Sequence, residues 1–380
     1  MMECIWNVPR WPYVIYDERQ VGPLFEQYQY AKGSVDALFS VLDRATQQRI
    51  HAETLAWETV KSSEIEGERI AYDSVLSSVA KHLDIAMEIK AKDDAYAKNV
   101  SQIILDAILN TKDPMSLERL FGWHRLLFKA SSPAFTPKQI GSFRTEAVYI
   151  MQGMQFGDGE PVFEGVPENR IEENIEYLIS YVNGDNEQRP LVKSAVVSLL
   201  FVAIHPFSDG NGRLSRALSD YVLARGESRT LKSFSISKAI MQKRKEYYEQ
   251  LRLCTGQDTS LDITSWIIWY LHLGIEGLET AKKTFHTAIY LGNLVRSLDP
   301  MLFNSRQIMM LVRLVDGTFF GKLTKEKWMK LTGCASPTAV RDINDLLEQG
   351  FLVRSVEGGR STSYMLSEQL EKRLGQTTRM

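Results

Sequence analysis

Two apolar runs, Leu191 to Ile204 and Leu214 to Ala224, flank the stretch His205-Pro206-Phe207-Ser208-Asp209-Gly210-Asn211-Gly212-Arg213-Leu214-Ser215-Arg216. This pattern predicts helix, tight loop, helix. Gly210 and Gly212 admit unusual backbone angles, and the second helix begins about here, so unpaired N–H groups and the positive dipole end converge on one spot. Phosphate is the natural occupant of such a spot. Arg213 and Arg216 share a helix face and offer forked donors to phosphate oxygens, while Asp209 offers a hard oxygen ligand for Mg2+. His205 is a candidate base. Taken singly, the arginines and the aspartate would read as a capped helix start with a solvated face. Their joint occurrence in one loop favours the chemical reading.

The stretch resembles the signature of the Fic family: His, Pro, Phe, any, Asp or Glu, Gly, Asn, Gly, Arg, any, any, Arg. All fixed positions are met. The resemblance implies a mainly α protein, with a Fic-type helical core and a small β-hairpin flap. It also implies a protein adenylyltransferase that moves AMP from ATP to a Ser, Thr or Tyr hydroxyl of a protein, with Mg2+. The residues suit that chemistry. His205 would take the hydroxyl proton, Asp209 would hold Mg2+, the amides around Gly210, Asn211 and Gly212 would cradle phosphates, and Arg213 would neutralise the leaving group. Asn211 and Phe207 would hold the loop's shape. Glycine at 212, where relatives using other donors carry Lys, favours AMP transfer over phosphate transfer.

Upstream, a helical pattern from Ile50 to Glu66 ends at Gly67, a good C-cap residue. Its end, Ser62-Ser63-Glu64-Ile65-Glu66-Gly67, resembles the inhibitory motif of the same family, in which Ser62, Glu66 and Gly67 occupy the fixed positions. The resemblance implies that Glu66 pairs with Arg216 and competes with the terminal phosphate of ATP; the plainer reading leaves Glu66 facing solvent. Two alternatives to AMP transfer stay open. One is removal of AMP from modified proteins at the same site, with Glu66 aligning a water. The other is a DNA-binding regulator whose Fic domain senses nucleotide.

Elsewhere, Trp6 to Asp17 is rich in Pro and aromatic residues and predicts an extended segment pinned by its rings. Its Trp, Pro, Tyr and Asp spacing resembles the short N-terminal domain of unknown function that precedes bacterial Fic cores. A helical hairpin is predicted after Pro23, with a break at Lys32-Gly33-Ser34, and a helical pattern continues from Ala71 to Leu109. Asp113-Pro114 predicts a further helix start, whose His124 is read as core packing. Gly141-Ser142-Phe143-Arg144 precedes a predicted hairpin near 147–163, which the resemblance makes a flap holding the protein substrate by strand addition. Lys245 to Leu251 resembles the tyrosine-bearing helix beside the adenine. Tyr247 and Tyr248 are adjacent, so at most one points into a pocket.

Residues 302–366 change character, with three apolar-periodic segments, two short strands and a turn at Glu357-Gly358-Gly359-Arg360, resembling a winged helix in which Ser336-Pro337 opens the would-be recognition helix. Its would-be recognition helix bears Arg341 among Asp342, Asp345 and Glu348, which disfavours DNA and favours docking or dimerisation. The expected domains are 1–45, 46–295 and 296–380. A formal net charge of −2 over 380 residues supplies no general pull toward nucleic acid or membrane. Cys4, Cys254 and Cys334 match neither a disulfide framework nor a zinc site. A cytoplasmic protein with no membrane span is expected, with self-modification once restraint is lifted.

Overall fold

A computed structural model describes residues 4–87, 89–130, 137–152, 160–185, 187–227, 232–256, 260–297, 303–315, 319, 321–355 and 362–368. The chain divides into two compact units, Met1–Ser34 with Gln47–Glu279, and Val35–Thr46 with Thr280–Met380.

The first unit is built around α7 (Pro190–Ile204) and α8 (Asn211–Glu227). α7 is apolar on every face and buried on every face, each large side chain contributing about 1.5–3 kcal/mol. Pro190 opens it where a missing N–H costs nothing. Serines let the two helices approach: Ser194 Oγ donates to the Ser219 carbonyl at 3.0 Å and Ser215 Oγ to the Ser198 carbonyl at 3.1 Å. Around this pair lie α2 (Arg44–Ile65), α3 (Tyr72–His82), α4 (Ala95–Leu109), α5 (Leu117–Phe128), α6 (Ile171–Asn183), α9 (Ile236–Gln242) and α10 (Arg244–Thr255). The hairpin falls where expected, β1 (Tyr149–Gln152) pairing antiparallel with β2 (Glu160–Glu164). The glycines between its strands lie outside the described residues.

Four local expectations are corrected. α1 (Glu18–Ser40) runs unbroken through Lys32-Gly33-Ser34. Nothing lies within 4 Å of the Cβ position at Gly33, so that glycine costs about 1 kcal/mol of propensity without requiring a bend. The helical pattern from Ala71 to Leu109 is interrupted between α3 and α4. Asp84 there takes a left-handed φ of 54°, and Asp94 caps α4 by accepting from the Tyr96 N–H at 2.9 Å. The helix expected at Asp113-Pro114 starts instead at Leu117, because Ser116 supplies the cap, accepting from the Arg119 N–H at 3.1 Å. The N-terminal segment forms a short 3-10 turn, Ile5–Asn7, and further turns rather than an extended run. That path brings the buried indoles to acceptors: Trp6 Nε1 donates to the Glu164 carbonyl at 2.7 Å and Trp11 Nε1 to Asn174 Oδ1 at 2.5 Å.

α11 (Thr264–Ser297) begins in the first unit and ends in the second. The second unit continues with α12 (Ser305–Val315), β3 (Leu323–Thr324), α13 (Lys325–Thr332), α14 (Ser336–Glu348), β4 (Leu352–Arg354) and β5 (Ser363–Leu366), the strands ordered β3-β5-β4. Met310, Leu311, Trp328, Ile343 and Leu346 form its core. β3 is too short to give an alternating signal in the sequence. The turn at Glu357 to Arg360 lies outside the described residues. Asp342 does not lie on the outer face of α14. It is 1% exposed and bound by Arg306 Nε at 2.7 Å and Asn304 Nδ2 at 2.9 Å. One of the three acids set against DNA is therefore internal and paired. Among the described residues no helix is long and apolar enough to cross a membrane.

Candidate active site

α7 ends at His205, whose backbone is left-handed with φ 53° and ψ 57°. A non-glycine residue takes that conformation only where its surroundings insist on it. Here Nδ1–H donates to the Val202 carbonyl at 3.1 Å, which leaves Nε2 with the lone pair. Burial pushes the imidazole pKa down to about 4; the Val202 carbonyl works against that, and the Arg144 guanidinium adds to it. The ring is neutral at pH 7 and ready to accept a proton.

The loop is held from three sides. The Asn211 side chain spans it, accepting from the Phe207 N–H at 3.0 Å and donating to the Phe207 carbonyl at 2.7 Å. His124 stacks on Phe207 with centroids 4.0 Å apart. Its Nδ1 accepts from the Gly141 N–H at 2.8 Å, so Nε2 carries the proton and donates to the Asp209 carbonyl at 3.2 Å. This histidine does pack, as expected, but it also joins two loops. Arg144 Nε donates to the His205 carbonyl at 2.8 Å and Nη1 to the Glu146 carbonyl at 2.8 Å, while Nη2 reaches the Val166 carbonyl. The base of the hairpin is thus stapled beside the histidine.

Arg216 is 3% exposed and taken on every side. Nε donates to Ser62 Oγ at 2.9 Å, Nη2 to the Ser62 carbonyl at 2.6 Å, and Nη1 to Glu66 Oε1 at 2.8 Å. Glu66 reaches across the start of α8. A Cβ at Gly212 would stand 2.1 Å from Glu66 Oε1, so only glycine leaves the carboxylate this seat. Gly67 takes a φ of 85° and Gly210 one of 84°, both demanding glycine. Arg213 donates from Nη1 to Glu68 Oε1 at 2.6 Å and to Tyr96 Oη at 3.0 Å, and from Nη2 to Asp209 Oδ1 at 3.2 Å.

The adjacent tyrosines diverge. Tyr247 is buried, lying 5.9 Å from the Trp269 ring on one side and beside Arg216 on the other. Tyr248 is 41% exposed, and its hydroxyl donates to the Ile65 carbonyl at 3.0 Å, joined there by Arg244 Nε at 2.9 Å. The fold therefore brings His205, Asp209, Gly210, Asn211, Gly212, Arg213, Arg216, Tyr247, Tyr248, Ser62, Glu66 and Gly67 to one region. Three residues with contacts in it were not singled out in the sequence, Glu68, Tyr96 and Arg244, while His124 was expected only to pack and Arg144 only to precede the flap. Glu68 alone left a signal, as a second carboxylate just past Gly67. Among the described residues no cluster of three or more His, Cys, Asp or Glu side chains could hold a metal by itself.

Residues 114–223 match the model of the Fic/DOC family, and residues 4–85 match that of the domain of unknown function DUF4172. A Fido domain-containing protein of Dictyostelium discoideum is 36% identical over 126 residues, which cover 84% of that protein. The chain belongs to the Fic/Fido family. The protein adenylyltransferase fic-1 of Caenorhabditis elegans is 24% identical over 148 residues, 38% of this chain, and the match spans 25% of that longer protein. The fold is also that of a Fic family protein from Desulfovibrio desulfuricans G20, with a TM-score of 0.53 at 20% identity over 94% of this chain and 98% of the other. A Fic domain-containing signaling protein from Bacteroides thetaiotaomicron gives a TM-score of 0.50 at 16% identity over 69% of this chain and 96% of the other. The Fic model spans α5 to α8, with the hairpin and the signature loop between them.

Proposed function

We propose that this chain is a protein adenylyltransferase that transfers AMP from ATP to a protein hydroxyl and is restrained by its own Glu66. The observation that carries the reading is the capture of Arg216 by Ser62 and Glu66, with the Glu66 carboxylate seated over Gly212 at the start of α8. A carboxylate and a phosphate want the same donors. While Glu66 holds Arg216, ATP loses a cation for its terminal phosphate, a charge-assisted contact worth about 1.5–3 kcal/mol.

When Glu66 withdraws, the amides at the start of α8 and Arg216 are offered to the triphosphate. His205 Nε2 takes the proton from the attacking Ser, Thr or Tyr hydroxyl; the new bond forms to the α-phosphorus as the bond to the β-phosphate oxygen breaks, and pyrophosphate leaves. Asp209, whose side chain is 53% exposed, suits Mg2+, an ion that commonly takes one or two carboxylates together with phosphate oxygens and water. Bound there, Mg2+ would supply charge neutralisation on the triphosphate. The β1–β2 hairpin, stapled beside His205, offers backbone for strand addition by a protein substrate.

The test uses ATP radiolabelled at the α-phosphate. Glu66→Gly should raise protein labelling by about tenfold to hundredfold, and adding His205→Ala should lower it by about a hundredfold or more. Absence of label in Glu66→Gly despite bound ATP would overturn the reading. Removal of AMP at the same site is the second reading, favoured by the Glu66 side chain being 30% exposed and acting electrostatically on His205. It requires the unchanged protein to release AMP from a labelled substrate. We assign the second unit to protein docking; salt-dependent binding of duplex DNA would reverse that assignment.

A further inference from the structure

The end of α2 holds more than one carboxylate. The Glu68 N–H donates to the Ser63 carbonyl at 3.0 Å and the Gly67 N–H to the Glu64 carbonyl at 3.0 Å, the paired bonds of a Schellman cap with Gly67 in the left-handed position. That cap fixes Glu66 and Glu68 relative to each other. Glu66 takes Arg216, as described; Glu68 Oε1 takes Arg213 Nη1 at 2.6 Å. Tyr96, from α4, closes the arrangement, accepting from Arg213 Nη1 at 3.0 Å while its hydroxyl donates to Glu68. Arg213 and Arg216 lie one turn apart on α8, so a single cap grips both cations that would face a triphosphate.

We infer that Glu68, supported by Tyr96, is a second latch on the nucleotide site, holding Arg213 as Glu66 holds Arg216. The inference rests on the reading of this loop as an ATP site. Arg213 is 5% exposed, lies with its guanidinium 5.4 Å from the Phe128 ring centre, and has its Nε buried without a hydrogen-bond partner among the described residues. Its donors are therefore few, and Nη1 is wholly engaged by Glu68 and Tyr96. Releasing Arg216 alone leaves Arg213 committed, so loss of Glu66 relieves only part of the restraint. Both grips come from one helix end. A displacement of that cap would free both arginines together, and a substitution at either glutamate would free them one at a time.

The experiment measures the affinity of the full chain for ATP with Mg2+ by titration calorimetry, and label transfer in parallel. The variants are Glu66→Gly, Glu66→Gly with Glu68→Gln, and Glu66→Gly with Tyr96→Phe. Glu68→Gln should tighten ATP binding about threefold to tenfold beyond Glu66→Gly, and Tyr96→Phe should tighten it by a smaller factor in the same direction, although it changes no charge. Unchanged or weaker binding with Glu68→Gln would overturn the latch and make Glu68 a residue that positions Arg213. Tighter binding with Glu68→Gln but none with Tyr96→Phe would overturn it too, reducing the effect to removal of a nearby negative charge. Binding of ATP by none of the variants would sink the nucleotide reading itself. Binding without label transfer would sink AMP transfer alone, leaving the affinities to decide the latch.

Discussion

At the scale of single residues, the site works by settling protonation and orientation before any ligand arrives. His205 is held neutral by burial, its tautomer chosen by the Val202 carbonyl. Because its pKa lies at about 4, label transfer by Glu66→Gly should show no titration of this histidine between pH 6 and 8, and its acid limb should fall below about pH 5. A rate that halves near pH 6.5 instead would show an imidazole free of that burial. His124 acts one layer back. His124→Phe would keep the stack on Phe207 but strip the acceptor from the Gly141 N–H and the donor from the Asp209 carbonyl. A loss of about 1–3 kcal/mol in urea denaturation is expected, the cost of stranding buried polar groups. Neither contact was visible in the sequence, because Gly141 and Asp209 meet His124 only through the packing of α5 beneath the loop.

At the scale of elements, the end of α2 matters because α2 itself cannot drift. Glu58 on that helix is buried with Asp220 of α8 and Lys232, whose ammonium donates to Glu58 Oε2 at 2.9 Å and also to Asp220. Lys232→Met would leave two buried carboxylates without their cation. It should cost about 3–5 kcal/mol by urea denaturation, and a loss below 1 kcal/mol would show that the triad adds little. α7 was plain from the sequence as a nearly continuous apolar run, and α2 and α8 from apolar residues recurring at helical spacing. Helix starts were less plain. Asp113-Pro114 and Ser116 are both good caps, and only the surrounding packing selects Ser116. The hairpin was legible because short runs were divided by glycines, whereas the continuity of α1 through Gly33 contradicts a local rule at small cost.

At the scale of the whole molecule, stability should follow the buried histidines. His51, His124 and His205 each have pKa values held down to about 4 by burial, against about 6.5 when unfolded. The folded state therefore binds fewer protons than the unfolded one between these values. This contribution is fully present above pH 6.5 and is lost as pH falls toward 4, at about 1.4 kcal/mol per pH unit for each histidine. Asp220 opposes part of it, since burial first and Glu58 second raise its carboxyl to about 7, so that it binds a proton in the folded state over the same range. The histidines outnumber it. Urea denaturation at pH 7.0, 5.5 and 4.5 should show a steep decline, flattened in His51→Gln; equal stability across that range would refute the account.

The sequence by itself determined the helical pair around the loop and the identity of the loop residues, because each depends on residue types at fixed local spacing; the family resemblance implied the pairing of Glu66 with Arg216 but left Glu66 facing solvent as an open reading, and the packing of α2 against α8 chose the pair. Only the tertiary structure decided that Glu68 and Tyr96 meet Arg213, that Tyr247 is buried while Tyr248 reaches the Ile65 carbonyl, and that Asp342 is spent inside its own unit. The physical reason is the same in each case. A charged or hydroxyl side chain looks alike in sequence whether it faces water or a partner, and its partner is chosen by elements distant in the chain that packing brings within about 3 Å.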